Sequence, residues 1–141
     1  MQTHQTYGML IKRISDTFEK TANNTLREQD LTMTQAVALG KLNRTYEKQA
    51  SLKELESILH VAQSTTAGII ARLEQKGLVE TFGAVSDKRI KNVKLTSLGE
   101  QFCQAAEQHM VDNETKLLAG LTETEQSIFY SLLMKVNDTI R

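Results

Sequence analysis

The sequence predicts a mainly α-helical chain with one small β-hairpin near its middle. Three observations carry that expectation. None of the 141 residues is proline, where average usage gives about seven, and proline breaks helix interiors. Apolar residues recur at helical spacing through several long segments. Only between residues 79 and 96 does the pattern change to the alternation of a strand.

From Tyr7 to about Glu28, Leu10, Ile14, Phe18, Ala22 and Leu26 recur every four residues, as on one face of a helix. A second helix covers roughly Thr32 to Asn43. The stretch "ASLKELESIL" opens on Ser51-x-x-Glu54, a capping box in which each side chain satisfies an open N–H of the other. It places Leu52, Leu55, Ile58 and Leu59 on one face. After a turn at His60–Val61, residues Ala62 to Gly68 are small, uncharged and polar. Ile69, Ile70 and Leu73 then form an inward stripe, and Gly77 closes this helix as its C′ residue.

Next, "LVETFG" and "IKNVKLT" read as short strands around the polar loop "AVSDKR", with Val93 and Leu95 alternating against Asn92 and Lys94. Ser97-x-x-Glu100 and Thr122-x-x-Glu125 are two more capping boxes, starting helices near Ser97 and Glu123. The last helix carries Ile128, Phe129, Leu132, Leu133, Val136 and Ile140 in a wide stripe. The middle of the chain, residues 31–96, is therefore a helix–turn–helix followed by a hairpin, within a single domain of residues 1–141. The flanking helices, in 1–30 and 97–141, carry more apolar surface than a module of this size needs. A dimer interface is expected there.

Composition sets limits on function. Charged residues (24%) and apolar residues (40%) are ordinary for a soluble globular chain. At this length about 70% of the unfolded surface can be buried, so no disulfide staple is needed. Net charge is zero, which excludes a generic polyanion binder, but the distribution is uneven. Residues 51–99 hold seven basic and five acidic side chains, against ten and twelve elsewhere, and four of the seven lie between Lys88 and Lys94. The N-terminus lacks the apolar run of a signal peptide, and no apolar stretch approaches membrane-spanning length. One cysteine cannot form an internal disulfide. A cytoplasmic location without membrane contact is expected.

The order of these elements, with "LEQKGLVE" (Leu73 to Glu80), Asp87-Lys88-Arg89 and "VKLTSLG" (Val93 to Gly99), resembles the MarR family of winged helix-turn-helix transcriptional regulators. The resemblance covers essentially the whole chain. It implies a winged helix-turn-helix flanked by N- and C-terminal dimerisation helices, in a homodimer that binds a pseudo-palindromic double-stranded DNA operator. It also implies a repressor of the multidrug or stress-responsive type, released by a small lipophilic or aromatic ligand. The alternatives are a redox-sensing or ligand-independent regulator of the same family, and a winged-helix protein-interaction module.

In a helix-turn-helix the second helix enters the major groove by its first residues, here Gln63, Ser64, Thr65 and Ala67. Glutamine can make a bidentate contact to adenine, which discriminates by about 1–3 kcal/mol, and methyl groups of Thr65 or Ala67 can meet a thymine methyl. Ser64 and Thr65 equally suit a solvated helix start. Ala62 stands where a capping serine is common in the family, so this start should be weakly capped. Gly68 costs about 0.5–1 kcal/mol relative to alanine in a helix. Either close approach to DNA or close packing on a neighbouring helix accounts for it.

Arg72 can reach a phosphate, and Lys76 and Lys53 are further candidates, though Lys76 also suits the helix dipole. The resemblance implies that Arg89 enters a minor groove, held by Asp87, while Lys88, Lys91 and Lys94 add phosphate contacts. An exposed ion pair in a loop, contributing about 0–1 kcal/mol, is the alternative for Asp87 and Arg89, and the family spacing favours the groove role over it. "FGAVS" lacks the arginines and first aspartate common in that half of the family's wing.

Cys103 reads either as a buried inert thiol or as a redox sensor. His4, His60 and His109 have no partner at metal-ligand spacing, so no metal or cofactor is expected. No nucleophile–base pair or phosphate loop suggests an enzyme. Tyr7, Met9, Phe18, Met33, Phe102 and Met110 could line an effector site or simply belong to the core.

Overall fold

The computed structural model describes residues 4–83 and 91–140. Its elements in chain order are α1 (Tyr7–Glu28), α2 (Met33–Asn43), a 3-10 turn (Tyr46–Lys48), β1 (Gln49–Ser51), α3 (Leu52–Leu59), α4 (Gln63–Gln75), β2 (Val79–Gly83), β3 (Lys91–Leu95), α5 (Ser97–Leu117) and α6 (Glu123–Thr139). The expected helices and the hairpin are present, so the mainly α winged helix-turn-helix is the fold. The sheet has a third strand that alternation could not reveal, because β1 is only three residues long. It lies beside β3 in the antiparallel order β1-β3-β2, with Ala50 and Thr81 both opposite Val93.

Hydroxyl side chains start most of the helices. Thr6 accepts from the Met9 N–H at 3.2 Å. Thr32 and Gln35 form a full capping box, each accepting the other's backbone N–H at 3.2 Å, as do Thr122 and Glu125. Ser51 accepts from Glu54 N–H at 3.0 Å. The Glu54 carboxylate accepts from the Ser51 hydroxyl at 3.1 Å rather than from its backbone N–H, so that box is half formed. The box expected at Ser97 does not form, and the cap moves one residue back. Thr96 is the N-cap and accepts the Gly99 N–H at 3.1 Å, while Glu100 pairs with Lys48 at 3.4 Å.

Leu39, Leu42, Leu55, Leu73, Val79 and Val93 are fully buried. They come from α2, α3, α4 and the hairpin, so the core lies under the helix-turn-helix. Each such side chain stabilises the fold by about 1.5–3 kcal/mol through removal from water. Gly77, at φ +75°, takes the left-handed conformation that ends α4. Leu78 N–H reaches back to the Leu73 carbonyl at 3.0 Å and Gly77 N–H to that of Glu74 at 3.0 Å, the double closure that satisfies a helix end.

The "LTSLG" motif acquires a physical meaning here. Leu95 is buried. Thr96 Oγ1 donates to the Gly77 carbonyl at 2.6 Å while capping α5. Gly99 has no room for a side chain, since a Cβ would run into the Leu78 carbonyl and, at 2.7 Å, into Leu95.

The outer helices contrast with this core. α1 buries Leu26 alone, and α5 buries Gly99 and Cys103. α6 buries nothing, although Ile128, Leu132, Val136 and Ile140 follow one another at helical spacing. Among the described residues no helix is long and apolar enough to cross a membrane.

Candidate nucleic-acid interface

α3 ends at His60, whose left-handed backbone (φ +56°) turns the chain before Ala62 opens α4. No side chain caps α4, as the alanine at that position predicts. What holds the helix down differs from expectation at one position. Thr66 is fully buried, together with Ile70 and Leu73, whereas Ile69 is only half-buried. A buried threonine is tolerated because its hydroxyl donates to the Ala62 carbonyl at 3.2 Å, so no polar atom is left unsatisfied.

The sequence-predicted contact residues Gln63, Ser64, Thr65, Ala67, Gly68 and Arg72 are all exposed. At about 100° per residue, Ser64, Gly68 and Ala71 lie directly opposite the buried Thr66, Ile70 and Leu73. Ala71 belongs to the same outward face and was not singled out in the sequence; its i+3 spacing from Gly68 is the signal. The outward surface is thus small and nearly flat, with Gln63 at its N-terminal edge and Arg72 on one flank. A Cβ placed on Gly68 would meet no atom within 4 Å. Close packing against a neighbouring helix of this chain is therefore not the reason for the glycine.

Arg72 borders a surface hollow of about 580 Å³, shared with Arg27, Thr32, Gln35 and Lys76. Lys76 is committed within the fold. Its ammonium donates to the Asp30 backbone carbonyl and to the Asp30 carboxylate, the latter at 3.0 Å, tying the end of α4 to the α1–α2 turn. That leaves Arg72 as the better placed cation of α4. Lys53 on α3 and Lys91 and Lys94 on β3 are exposed. Asp87, Lys88 and Arg89 lie outside the described residues.

At the other end of α4, Glu74 Oε2 accepts the Thr81 hydroxyl at 2.6 Å and the Thr81 N–H at 2.9 Å. These bonds, with Lys91 adding a smaller attraction, hold its carboxyl below the usual range against a small opposing effect of burial. Glu74 stands in the "LEQKGLVE" motif, but its bond to Thr81 is not legible there, because that partner lies beyond the Gly77 turn.

Cys103 is buried against α2, its thiol directed at the Leu39 carbonyl at 3.7 Å. Burial raises its pKa, reinforced by Glu107. A thiol pushed upward is a poor nucleophile and a poor peroxide sensor. Tyr7, Met9, Met33 and Met110 are exposed, and Phe18 and Phe102 half-buried. Among the described residues no group of histidine, cysteine and carboxylate side chains could hold a metal ion.

Residues 31–91, which contain α2 to β2, match the model of the MarR family. Solved structures extend the likeness over nearly the whole chain. A point mutant of MepR from Staphylococcus aureus superposes with a TM-score of 0.87 at 25% identity, covering 97% of this chain and 100% of that one. A second MepR point mutant, bound to an oligodeoxyribonucleotide, gives 0.80 at 25% identity over 98% and 100%. Wild-type MarR from E. coli in its apo form gives 0.75 at 28% identity over 96% and 98%.

Proposed function

We propose that the chain is a DNA-binding transcription regulator of the MarR family and that it acts in the cytoplasm as a homodimeric repressor of a pseudo-palindromic operator. The observation that carries this reading is the division of α4 into two faces. Thr66, Ile70 and Leu73 anchor the helix, while Gln63, Ser64, Thr65, Ala67 and Gly68 present a bare polar surface. A surface with no bulky side chain lets the backbone come close to base edges in a major groove, with Gln63 as the one long reader. The uncapped N–H groups at the start of α4 suit a phosphate, and so does Arg72. Arg89 is assigned to the minor groove, held by Asp87 and with Lys88 adding a phosphate contact, on the sequence resemblance alone.

The dimer is supported by the outer helices. Tyr7, Ile11, Ile14, Met110, Val111, Ile128, Leu132, Val136 and Ile140 are all more than 40% exposed. Exposed apolar side chains recurring at helical spacing on three helices fit a protein–protein contact. In the dimer the two α4 helices would stand about 34–36 Å apart, matching half-sites about 10–10.5 base pairs apart. A small lipophilic or aromatic effector would act by its different affinity for two spacings of the reading heads.

One experiment tests the whole reading. Genomic fragments are selected on the purified protein, and binding to the enriched duplex is then measured against a panel of lipophilic drugs and phenolic acids. Enrichment of one two-fold symmetric motif by a dimer, with release by a member of the panel, is expected. A protein that stays monomeric at micromolar concentration, or enriches no motif, refutes it.

A further inference from the structure

Glu74 occupies an unfavourable place for a carboxylate, the last turn of α4, where the helix dipole disfavours negative charge. Its two bonds to Thr81 offset that. Thr81 lies in β2, an edge strand that pairs with β3 alone, and its N–H points away from β3 toward Glu74. Lys91, which draws the same carboxylate, opens β3 opposite Gly83. One side chain of the reading helix therefore bonds to β2 directly and lies within the electrostatic reach of Lys91 at the loop end of β3.

The burial of β2 shows why this matters. Leu78 and Val79 are buried, so the start of the strand is fixed by the core. From Glu80 to Gly83 every residue is exposed. Beyond Val79 the core holds the hairpin only through β3, by the buried Val93, and the Glu74–Thr81 contact ties β2 itself to α4.

We propose that Glu74 is a positioning residue that fixes the angle between α4 and the β2–β3 hairpin, so that both engage one DNA duplex together. The proposal rests on the DNA-binding reading above. Glu74 touches no DNA in this scheme. Removing its negative charge would by itself strengthen binding to any duplex, so a loss of affinity is a geometric signature.

The test compares two duplexes by fluorescence anisotropy: the one enriched from genomic fragments by the wild-type protein, and a scrambled duplex of equal length and composition. Glu74→Ala should weaken binding to the enriched duplex about tenfold, a change of about 1.4 kcal/mol, while binding to the scrambled duplex holds or tightens. Glu74→Gln keeps an acceptor for the Thr81 N–H and should recover most of the loss. Thr81→Val should weaken binding in the wild type and add little to Glu74→Ala, because the two changes break one contact. Equal losses on both duplexes, or an alanine variant as tight as wild type, overturn the proposal. If Glu74→Ala melts below the assay temperature, Thr81→Val should still weaken binding to the enriched duplex alone while Glu74→Gln stays near wild type, and Thr81→Val binding as tightly as wild type overturns the proposal. A wild-type protein that enriches no duplex overturns the DNA-binding reading itself.

Discussion

Replacing Gly68 with alanine should move stability and operator affinity in opposite directions. The glycine sits in the interior of α4, on the outward face, and an added Cβ meets nothing within 4 Å. The substitution therefore carries no steric cost within the chain. It removes backbone freedom from the unfolded state and should stabilise each protomer by about 0.5–1 kcal/mol. At the upper end that is a rise in melting temperature of about 2–4 °C. The same Cβ projects between Ser64 and Ala71 toward the proposed position of the DNA. If the backbone approaches base edges there, the methyl group holds the helix off, and affinity for the enriched duplex should fall about tenfold, or about 1.4 kcal/mol. Differential scanning calorimetry and fluorescence anisotropy on one preparation give both numbers. Higher stability with unchanged affinity would refute the close-approach argument, as would intact binding by Gly68→Arg. Lower stability would mean that Gly68 packs against something absent from the single chain, such as the partner protomer.

Other substitutions probe the remaining parts. Arg89→Ala should lower operator affinity at least about tenfold, the scale of a good groove contact, with the dimer intact by light scattering; near-normal binding would remove the minor-groove assignment. Gly99→Ala should destabilise the fold by about 1–3 kcal/mol through overpacking against Leu78 and Leu95, and an unchanged urea midpoint would contradict the geometry. Leu132→Asp combined with Val136→Asp places charges on the bare face of α6 and should halve the mass in solution, abolishing operator binding with it. A dimeric double variant would move the interface elsewhere. The Glu125 carboxyl lies below its usual range because Thr122 donates its backbone N–H and, as a lesser cause, its hydroxyl interacts as well. A depressed carboxylate adds stability above the unfolded pKa of about 4.3 and loses it as pH falls through the folded value. The melting-temperature gap between wild type and Glu125→Ala should thus be widest above about pH 5 and narrow in acid; a flat gap would show that the carboxylate charge plays no part. Peroxide should leave DNA binding intact, since Cys103 is buried and its pKa is raised.

Much of the fold was legible because its signals are local. Capping pairs and four-residue repeats lie within one turn of helix, so Thr122–Glu125 and the bounds of α1 could be read directly. What escaped depends on distant partners. Two adjacent hydroxyls, Thr96 and Ser97, could each cap α5, and the choice falls to Thr96, whose hydroxyl is also drawn to the Gly77 carbonyl. Thr66 reads as part of a polar tip until its hydroxyl is seen turned back on Ala62. β1 is too short to alternate and exists because β3 offers it an edge. The outward residues of α4 were readable from motif order, whereas the role of Glu74 was not, its partner lying seven residues on and across a turn.

The Thr96 hydroxyl joins two parts of the molecule that would have to move together. It donates to the end of the reading helix and accepts from the first turn of α5, and Gly99 seats that turn directly on the Leu78 backbone. Such a joint has no slack, so the first turn of α5 and the end of α4 behave as one rigid body. Past Cys103, however, α5 buries no residue in its own chain. Compliance between arm and head is therefore displaced along α5 to its distal two-thirds, the same stretch that carries Met110 and Val111. On this geometry a tilt imposed there should reach α4 as rotation of a solid block, leaving the surface of Gln63 to Gly68 unchanged.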